Sequence, residues 1–277
     1  MRLAISNIAW ETTEDEVIAE LLARFAVDAI DIAPGKYFPE PAKATDAEIA
    51  QVKDWWAQRG IALTGMQALL FGTTGLNVFG SVQSQAALLQ HLAGVCRIGA
   101  GLGATRIVFG SPKNRDRSGL TDQQAQDGAV AFFRQLGDIA QASGVTICLE
   151  PNPTCYGANF MTNSAQTAVV VRAIDHPAIR MQLDTGALAI NGEDPFTVLE
   201  DCAELIGHIH ASEPDLLPLG DGGTDHEKMA RAVAHYLPEH VVTIEMVATK
   251  TEPHAQSIER ALQVAREYYR IPDEVTA

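Results

Sequence analysis

The sequence predicts a (β/α)8 TIM barrel, and three observations carry that prediction. Short β-branched or apolar runs alternate with amphipathic stretches from end to end, the pattern of a parallel sheet built from βα units. The 277 residues are close to the ~250 that eight such units need. Four of the runs end on a side chain able to bind a metal: Glu150, Asp184, His210 and Glu245. These lie 34, 26 and 35 residues apart, each about one strand-plus-helix unit. If the strands are consecutive and parallel, all four side chains emerge at the rim where such barrels place their chemistry.

Each element follows in order. Leu3 to Ile8 is the first strand, and Thr12 or Thr13 is a plausible N-cap for a helix reaching Phe25. Val27 to Ala33 is the second strand, ended by Pro34-Gly35. Thr45 or Asp46 caps a helix carrying Trp55 and Trp56, which Gly60 stops. One of the two adjacent indoles is expected to pack on the barrel and the other to be partly exposed. The third strand ends near Gln67, and a Gly/Thr-rich loop, Phe71 to Gly80, follows. Loops of that length at a barrel rim often cover substrate. A helix from about Ser84 to Gly99 leads to the fourth strand, Arg106 to Phe109. The next loop holds the one local basic cluster, Lys113, Asn114 and Arg115.

A helix from Gln123 to Ser143 precedes the fifth strand, Val145 to Leu149, which closes on Glu150 and the rigid turn Pro151-Asn152-Pro153. After a helix from about Ser164 to Ile174, the sixth strand ends at Asp184, and Pro195 opens the next helix. The seventh strand ends at His210 and is followed by a long polar loop to His226. The eighth ends at Glu245, and a helix from about Pro253 to Arg270 closes the chain. No linker, repeat or low-complexity tract divides it, so a single domain is expected over 1–277.

Composition bounds the function. With 35 acidic and 20 basic residues the formal net charge is −15, which repels polyanions and argues against nucleic acid or anionic membrane as partners. A few local groups are still enough for one small phosphate. Cys96, Cys148, Cys155 and Cys202 have no Cys-x-x-Cys spacing and read as buried thiols of a reducing compartment. The first residues form a strand with no signal-peptide plan, and no apolar run approaches the ~20 residues that cross a bilayer. The expected location is cytoplasmic. The expected partner is a small sugar-like molecule, and a homo-oligomer is compatible with the sequence.

Two Glu, one Asp and one His suit a divalent cation of intermediate hardness better than a thiolate metal site does. Together with Asp31-Ile32-Ala33-Pro34, Leu149-Glu150-Pro151, Leu183-Asp184-Thr185-Gly186, His208-Ile209-His210 and Ile244-Glu245, they give a chain that resembles the xylose isomerase-like TIM-barrel superfamily. Within it, the sugar phosphate isomerase/epimerase group (AP endonuclease family 2) is the nearest, over nearly the whole length. The order and spacing of the quartet look like those of the ketose 3-epimerases. That resemblance implies that Glu150, Asp184, His210 and Glu245 ligate one divalent ion (Mn2+, Mg2+, Co2+ or Zn2+). It also implies that Glu150 and Glu245 double as the acid/base pair. The chain departs from those epimerases around the substrate. Ala187 stands where a His is usual, Pro214 to Leu217 where an Arg is usual, and Tyr156 where a Glu is usual.

Moving a proton beside a carbonyl needs a polarised oxygen, a base, and an acid to return the proton. Two glutamates from opposite sides of the mouth reach opposite faces of a flat enediolate, as an epimerase requires. His210's second nitrogen is expected to have a hydrogen-bond partner. Candidate substrate contacts are Gln67 for a sugar hydroxyl, Lys113 with its basic neighbours for an anionic group, Tyr156, and His226 from the seventh loop. The plainer alternatives are an exposed loop ion pair for Lys113 and a helix cap for Asp225-His226. Trp10, Phe71 and Phe79 are equally credible as pocket lining or packing. Cys148 shares the inward face of Glu150, lower in the barrel. His208 is read as packed between barrel and helices.

The expected activity is a divalent-metal-dependent isomerase or epimerase acting on a sugar or sugar derivative. The main alternative is a metal-dependent lyase on the same scaffold, dehydrating a keto-inositol or a hydroaromatic acid. A phosphodiesterase acting at abasic DNA and a non-catalytic sugar-binding protein fit less well.

Overall fold

The computed structural model describes residues 1–270, so the last seven residues of the domain expected over 1–277 lie outside the described residues. Eight strands close on themselves in chain order, and every pairing is parallel. They are β1 Arg2–Ser6, β2 Ala29–Ile32, β3 Ala62–Met66, β4 Arg106–Phe109, β5 Thr146–Leu149, β6 Ile179–Asp184, β7 Ile206–Ser212 and β8 Val241–Glu245. β1 seals the barrel against β8, with Leu3 opposite Val242 and Ile5 opposite Ile244. Closure removes the free edges that an open sheet would expose.

The helices are α1 Asp15–Arg24, α2 Asp46–Ala57, α3 Val82–Leu102, α4 Asp122–Ser143, α5 Ser164–Ile174, α6 Thr185–Asn191, α7 Pro195–Cys202, α8 His226–Tyr236 and α9 His254–Tyr268. Their starts are chemically specified. Thr45 and Glu48 form a reciprocal capping box on α2, and Thr121 and Gln124 form one on α4, satisfying N–H groups that a first turn leaves unpaired. Apolar faces of the helices pack on the outer faces of the strands, and Trp56, Phe109, Phe132, Phe133 and Leu22 are wholly buried there. Each such side chain contributes roughly 1.5–3 kcal/mol by leaving water. Trp56 is fully buried, whereas Trp55 is half-buried under the Arg59 guanidinium, 3.6 Å from its ring centroid.

Two elements differ from the sequence reading. α6 was not expected; it starts because Asp184, the last residue of β6, is also an N-cap whose carboxylate accepts from Ala187 N–H at 2.6 Å. β7 runs to Ser212, two residues past His210. It carries a bulge at Gly207, so that Gln182 faces His208 and Asp184 faces His210. A Cβ on Gly207 would lie 2.8 Å from Arg180 Cβ and 2.9 Å from Cys148 Sγ, so the bulge needs glycine. Cys96, Cys148 and Cys202 are buried, but Cys155 is exposed, because it sits in the turn after Pro153 and not in a strand. Among the described residues no helix is long and apolar enough to cross a membrane.

Candidate metal centre

Glu150 follows the last residue of β5, Asp184 and Glu245 are the last residues of β6 and β8, and His210 lies in β7 opposite Asp184. The fold brings all four together. His210 Nδ1 is 3.1 Å from Glu245 Oε2, 3.6 Å from Glu150 Oε1 and 4.0 Å from Asp184 Oδ2. One ligand atom from each of the four lies within 4.8 Å of the others. His210 is fully buried, and Glu150 and Asp184 retain 8% and 7% of their surface. The site is therefore largely withdrawn from bulk water.

Two of the three carboxylates are aimed by neighbours outside the quartet. Asp184 Oδ1 is held by Ala187 N–H, and Oδ2 accepts from Ser212 Oγ at 2.8 Å. Glu150 Oε2 accepts from Asn152 Nδ2 at 3.1 Å and lies against the backbone of Gly110, where any Cβ would be 1.9 Å from that oxygen. A side chain there would push the Glu150 carboxylate out of its place. Asn152 Oδ1 in turn accepts from Nη2 of the fully buried Arg115.

The electrostatics favour a cation. Burial pushes the Asp184 carboxyl up, and the charges of Glu150 and Glu245 push it further, to about 7. Burial opposes charge on His210, but Glu245 and Glu150 outweigh it and raise the imidazole well above its ordinary range. Burial likewise opposes charge on Glu150, yet hydrogen bonding and charge from His210, then a hydrogen bond from Asn152 and the positive charge of Arg115, hold its carboxyl below the usual value. Three converging carboxylates thus draw protons onto whatever can carry them. A divalent ion relieves that excess directly, and the oxygen-rich set with one imidazole matches Mn2+, Mg2+, Co2+ or Zn2+.

His208 overturns its sequence reading. Strand side chains alternate with period two, so His208 shares the inward face of His210 and lies inside the barrel, not between strands and helices. Its Nε2 donates to Asp31 Oδ2 at 2.6 Å. Asp31, on β2, also accepts from Thr64 Oγ1 at 2.8 Å and Thr243 Oγ1 at 3.0 Å. Gln182 bridges the two histidines: its amide is 3.0 Å from His208 Nδ1, and its oxygen is placed to accept from His210 N–H at 3.1 Å. The expected partner for His210's second nitrogen is not found, for Nε2 is buried without one. The ring is held instead by an edge contact with His208, centroids 4.9 Å apart.

The candidate substrate contacts divide. Gln67 is buried, gives Nε2 to Ser6 Oγ and leaves Oε1 without a partner. Tyr156 is 39% exposed, and its hydroxyl accepts from Asp215 N–H at 2.7 Å, joining the loops after β5 and β7. Lys113 is exposed and donates to Thr73 O at 3.2 Å. His226 is buried with both ring nitrogens engaged, by Glu213 Oε1 at 2.9 Å and Tyr269 OH at 2.8 Å. Asp225 beside it caps α8. Trp10 is buried with its N–H on Asp15, Phe71 is 91% exposed, and Phe79 packs edge-on against Phe160. A separate concavity of about 520 Å3 includes Phe38, Leu69, Phe71 and His91 in its wall and none of the quartet.

Sequence reasoning missed Asn152, Ser212, Gly110 and the Asp31–His208–Gln182 network. Two signals were available: the i, i+2 spacing of His208, His210 and Ser212, and a lone carboxylate inside the apolar run Ala29–Ile32.

A family model described as a xylose isomerase-like TIM barrel matches residues 19–268. A D-psicose 3-epimerase of Ruminiclostridium cellulolyticum is 27% identical over 107 residues, 38% of this chain and 36% of that protein. A ketose 3-epimerase of Arthrobacter globiformis is 24% identical over 160 residues, 58% and 52% of the two chains. The matched regions therefore span about a third to a half of those relatives. In fold, a D-psicose 3-epimerase from Clostridium cellulolyticum H10, solved with D-tagatose, superposes with a TM-score of 0.80 at 18% identity, covering 98% of this chain and 100% of that one. A 3-keto-D-glucoside 4-epimerase from E. coli gives 0.78 at 17% identity, covering 96% and 99%.

Proposed function

The chain belongs to the xylose isomerase-like TIM barrel family, and from that premise we propose that it is a divalent-metal-dependent isomerase or epimerase of a sugar or sugar derivative. The observation that carries this reading is the convergence of Glu150, Asp184, His210 and Glu245 on one buried point at the barrel rim. These four residues would hold the ion. When bound, a divalent cation supplies a Lewis acid that polarises the carbonyl beside the carbon being deprotonated.

The protein's own groups do the rest. Glu150 from β5 and Glu245 from β8 flank His210, at 3.6 and 3.1 Å, with β6 and β7 between their strands. A flat enediolate seated over His210 has one glutamate on each face. One carboxylate takes the carbon-bound proton, and the C–H electrons form the enediolate double bond as the carbonyl pair moves to oxygen. The other glutamate, protonated at the start, returns a proton to the opposite face. Asp184, fixed by Ala187 and Ser212, serves as a ligand alone. Gln67 Oε1, buried and unpartnered, is suited to accept from a sugar hydroxyl. Tyr156 lines the mouth where it ties two loops together.

The three departures at Tyr156, Ala187 and Pro214–Leu217 favour a substrate other than the ketoses named for the relatives. They leave a second reading, loss of water from a related enediolate. A mannonate dehydratase of Rhizobium meliloti is among the similar proteins, 25% identical over 130 residues. One experiment separates the two. Purified protein loaded with Mn2+ is incubated with a panel of sugars and sugar acids in D2O. Deuterium at a carbon-bound position with no mass loss of water supports isomerase or epimerase action. Loss of water supports the lyase, and no change in any compound with a metal-loaded protein overturns both.

A further inference from the structure

Arg115 is a fully buried guanidinium. Its Nη2 donates to Asn152 Oδ1, and its Nε and Nη1 have no hydrogen-bond partner. A buried charge facing a single neutral amide is costly unless an opposite charge lies close by. The neighbour beyond that amide is Glu150, whose Oε2 accepts from Asn152 Nδ2 at 3.1 Å. Because the guanidinium fixes the amide oxygen, the amide nitrogen must face Glu150. The backbone is equally constrained: Pro151 and Pro153 bracket Asn152 and favour extended geometry. In that geometry residues 150 and 152 project to the same side. With Gly110 closing the far side of Oε2, the carboxylate has one free oxygen, Oε1, and it is the one that faces His210.

Charge counting leads to the same place. Glu150, Asp184 and Glu245 carry three negative charges when ionised. Arg115 and one divalent ion supply three positive charges, with His210 a neutral ligand.

We propose that Arg115, acting through Asn152, is the positioning residue that turns Glu150 Oε1 toward the metal position. This rests on the proposed function, since it takes Glu150 as a ligand. Lys113, two residues earlier in the same turn, is exposed and has no part in it.

The test uses the full-length, metal-free protein titrated with Mn2+, following free Mn2+ by its electron paramagnetic resonance signal. The variants Asn152→Ala and Arg115→Lys leave the charge of the site unchanged, so any effect reflects orientation. Mn2+ affinity is expected to fall about tenfold in Asn152→Ala, the lower end for partners that orient a ligand. It should fall by a smaller factor in Arg115→Lys, and the double variant should bind no more weakly than Asn152→Ala alone. Circular dichroism and the melting midpoint of the metal-free variants serve as the control for folding. Asn152→Leu, which keeps the volume, decides the case if Asn152→Ala is too unstable to titrate. An affinity within twofold of wild type in a folded Asn152 variant overturns the proposal, as do losses that multiply in the double variant. If wild-type protein itself takes up no Mn2+, the proposed function fails first, and that result is visible before any variant is made.

Discussion

His208 on β7 donates to Asp31 on β2 across 2.6 Å, although two strands, β8 and β1, separate them around the wall. The bond therefore spans the barrel interior, directly beneath the ring of His210. Asp31 is fully buried; burial works against its charge, and His208 first, then His210 and Thr64, hold its carboxyl below the ordinary range. Removing one partner of such a pair leaves the other buried and unpaired, at a cost of about 3–5 kcal/mol. Asp31→Ala or His208→Ala should lower stability by that amount in urea unfolding, whereas the double variant should lose clearly less than the sum. Additive losses would show that the pair does not act as a unit.

Why the sequence misplaced His208 but found His210 is a matter of parity and partners. Both lie on one face of β7, and period two alone puts them together. Strand ends were legible because β-branched runs stop at a turn, and Glu150, Asp184 and Glu245 stand at those stops. The bulge at Gly207, the short helix α6 and the reach of Arg115 to Asn152 were not. The bulge and the Arg115 contact depend on neighbouring strands and loops, which no local periodicity encodes, and α6 depends on Asp184 serving as an N-cap as well as a site residue. Asn114 makes the same point. It looked like part of a loop cluster, yet its amide donates to Leu76 O at 2.8 Å and pins the preceding loop.

The quartet predicts a ligand-dependent stability. Any ion that binds only the folded chain adds about 2.7 kcal/mol when present at a hundred times its Kd, which is several degrees in melting midpoint for a chain of this size. Mn2+ or Co2+ should raise the midpoint of chelator-treated protein, and Asp184→Asn or Glu245→Gln should abolish the rise. In chelator, Asp184→Asn should melt no lower than wild type at pH 8, because one of three converging carboxylates has gone. A metal-induced rise that persists in both variants would move the binding site elsewhere.

The two glutamates should be separable by face. If each serves one side of the enediolate, Glu150→Gln and Glu245→Gln both lose net epimerisation, by roughly 10²-fold or more. Each should still exchange the proton of one epimer with solvent, and the two variants should differ in which epimer that is. Deuterium wash-in measured separately on the two epimers reads this out. Identical behaviour of both variants would place both glutamates on one face and turn the assignment toward an isomerase with a single base.

Glu213, the residue after β7, predicts the acid limb of stability. It is 1% exposed and accepts from His226 Nε2 at 2.9 Å, Gly220 N–H at 2.7 Å and Thr224 N–H at 2.9 Å. Burial raises its pKa, but these donors overcome that and bring it to about 2 from the usual 4.5. A carboxyl whose folded value is depressed stabilises the protein fully above its unfolded value and loses that contribution as pH falls toward the folded one. The window is therefore pH 4.5 down to about 2, and the contribution is on the order of 3 kcal/mol. Glu213→Gln mimics the protonated acid at every pH. Its melting midpoint should lie well below wild type at pH 6, and the gap should close between pH 4.5 and 2 as the native carboxylate takes up its proton. A gap that stays constant with pH would mean that the loop needs the shape of Glu213 and not its charge.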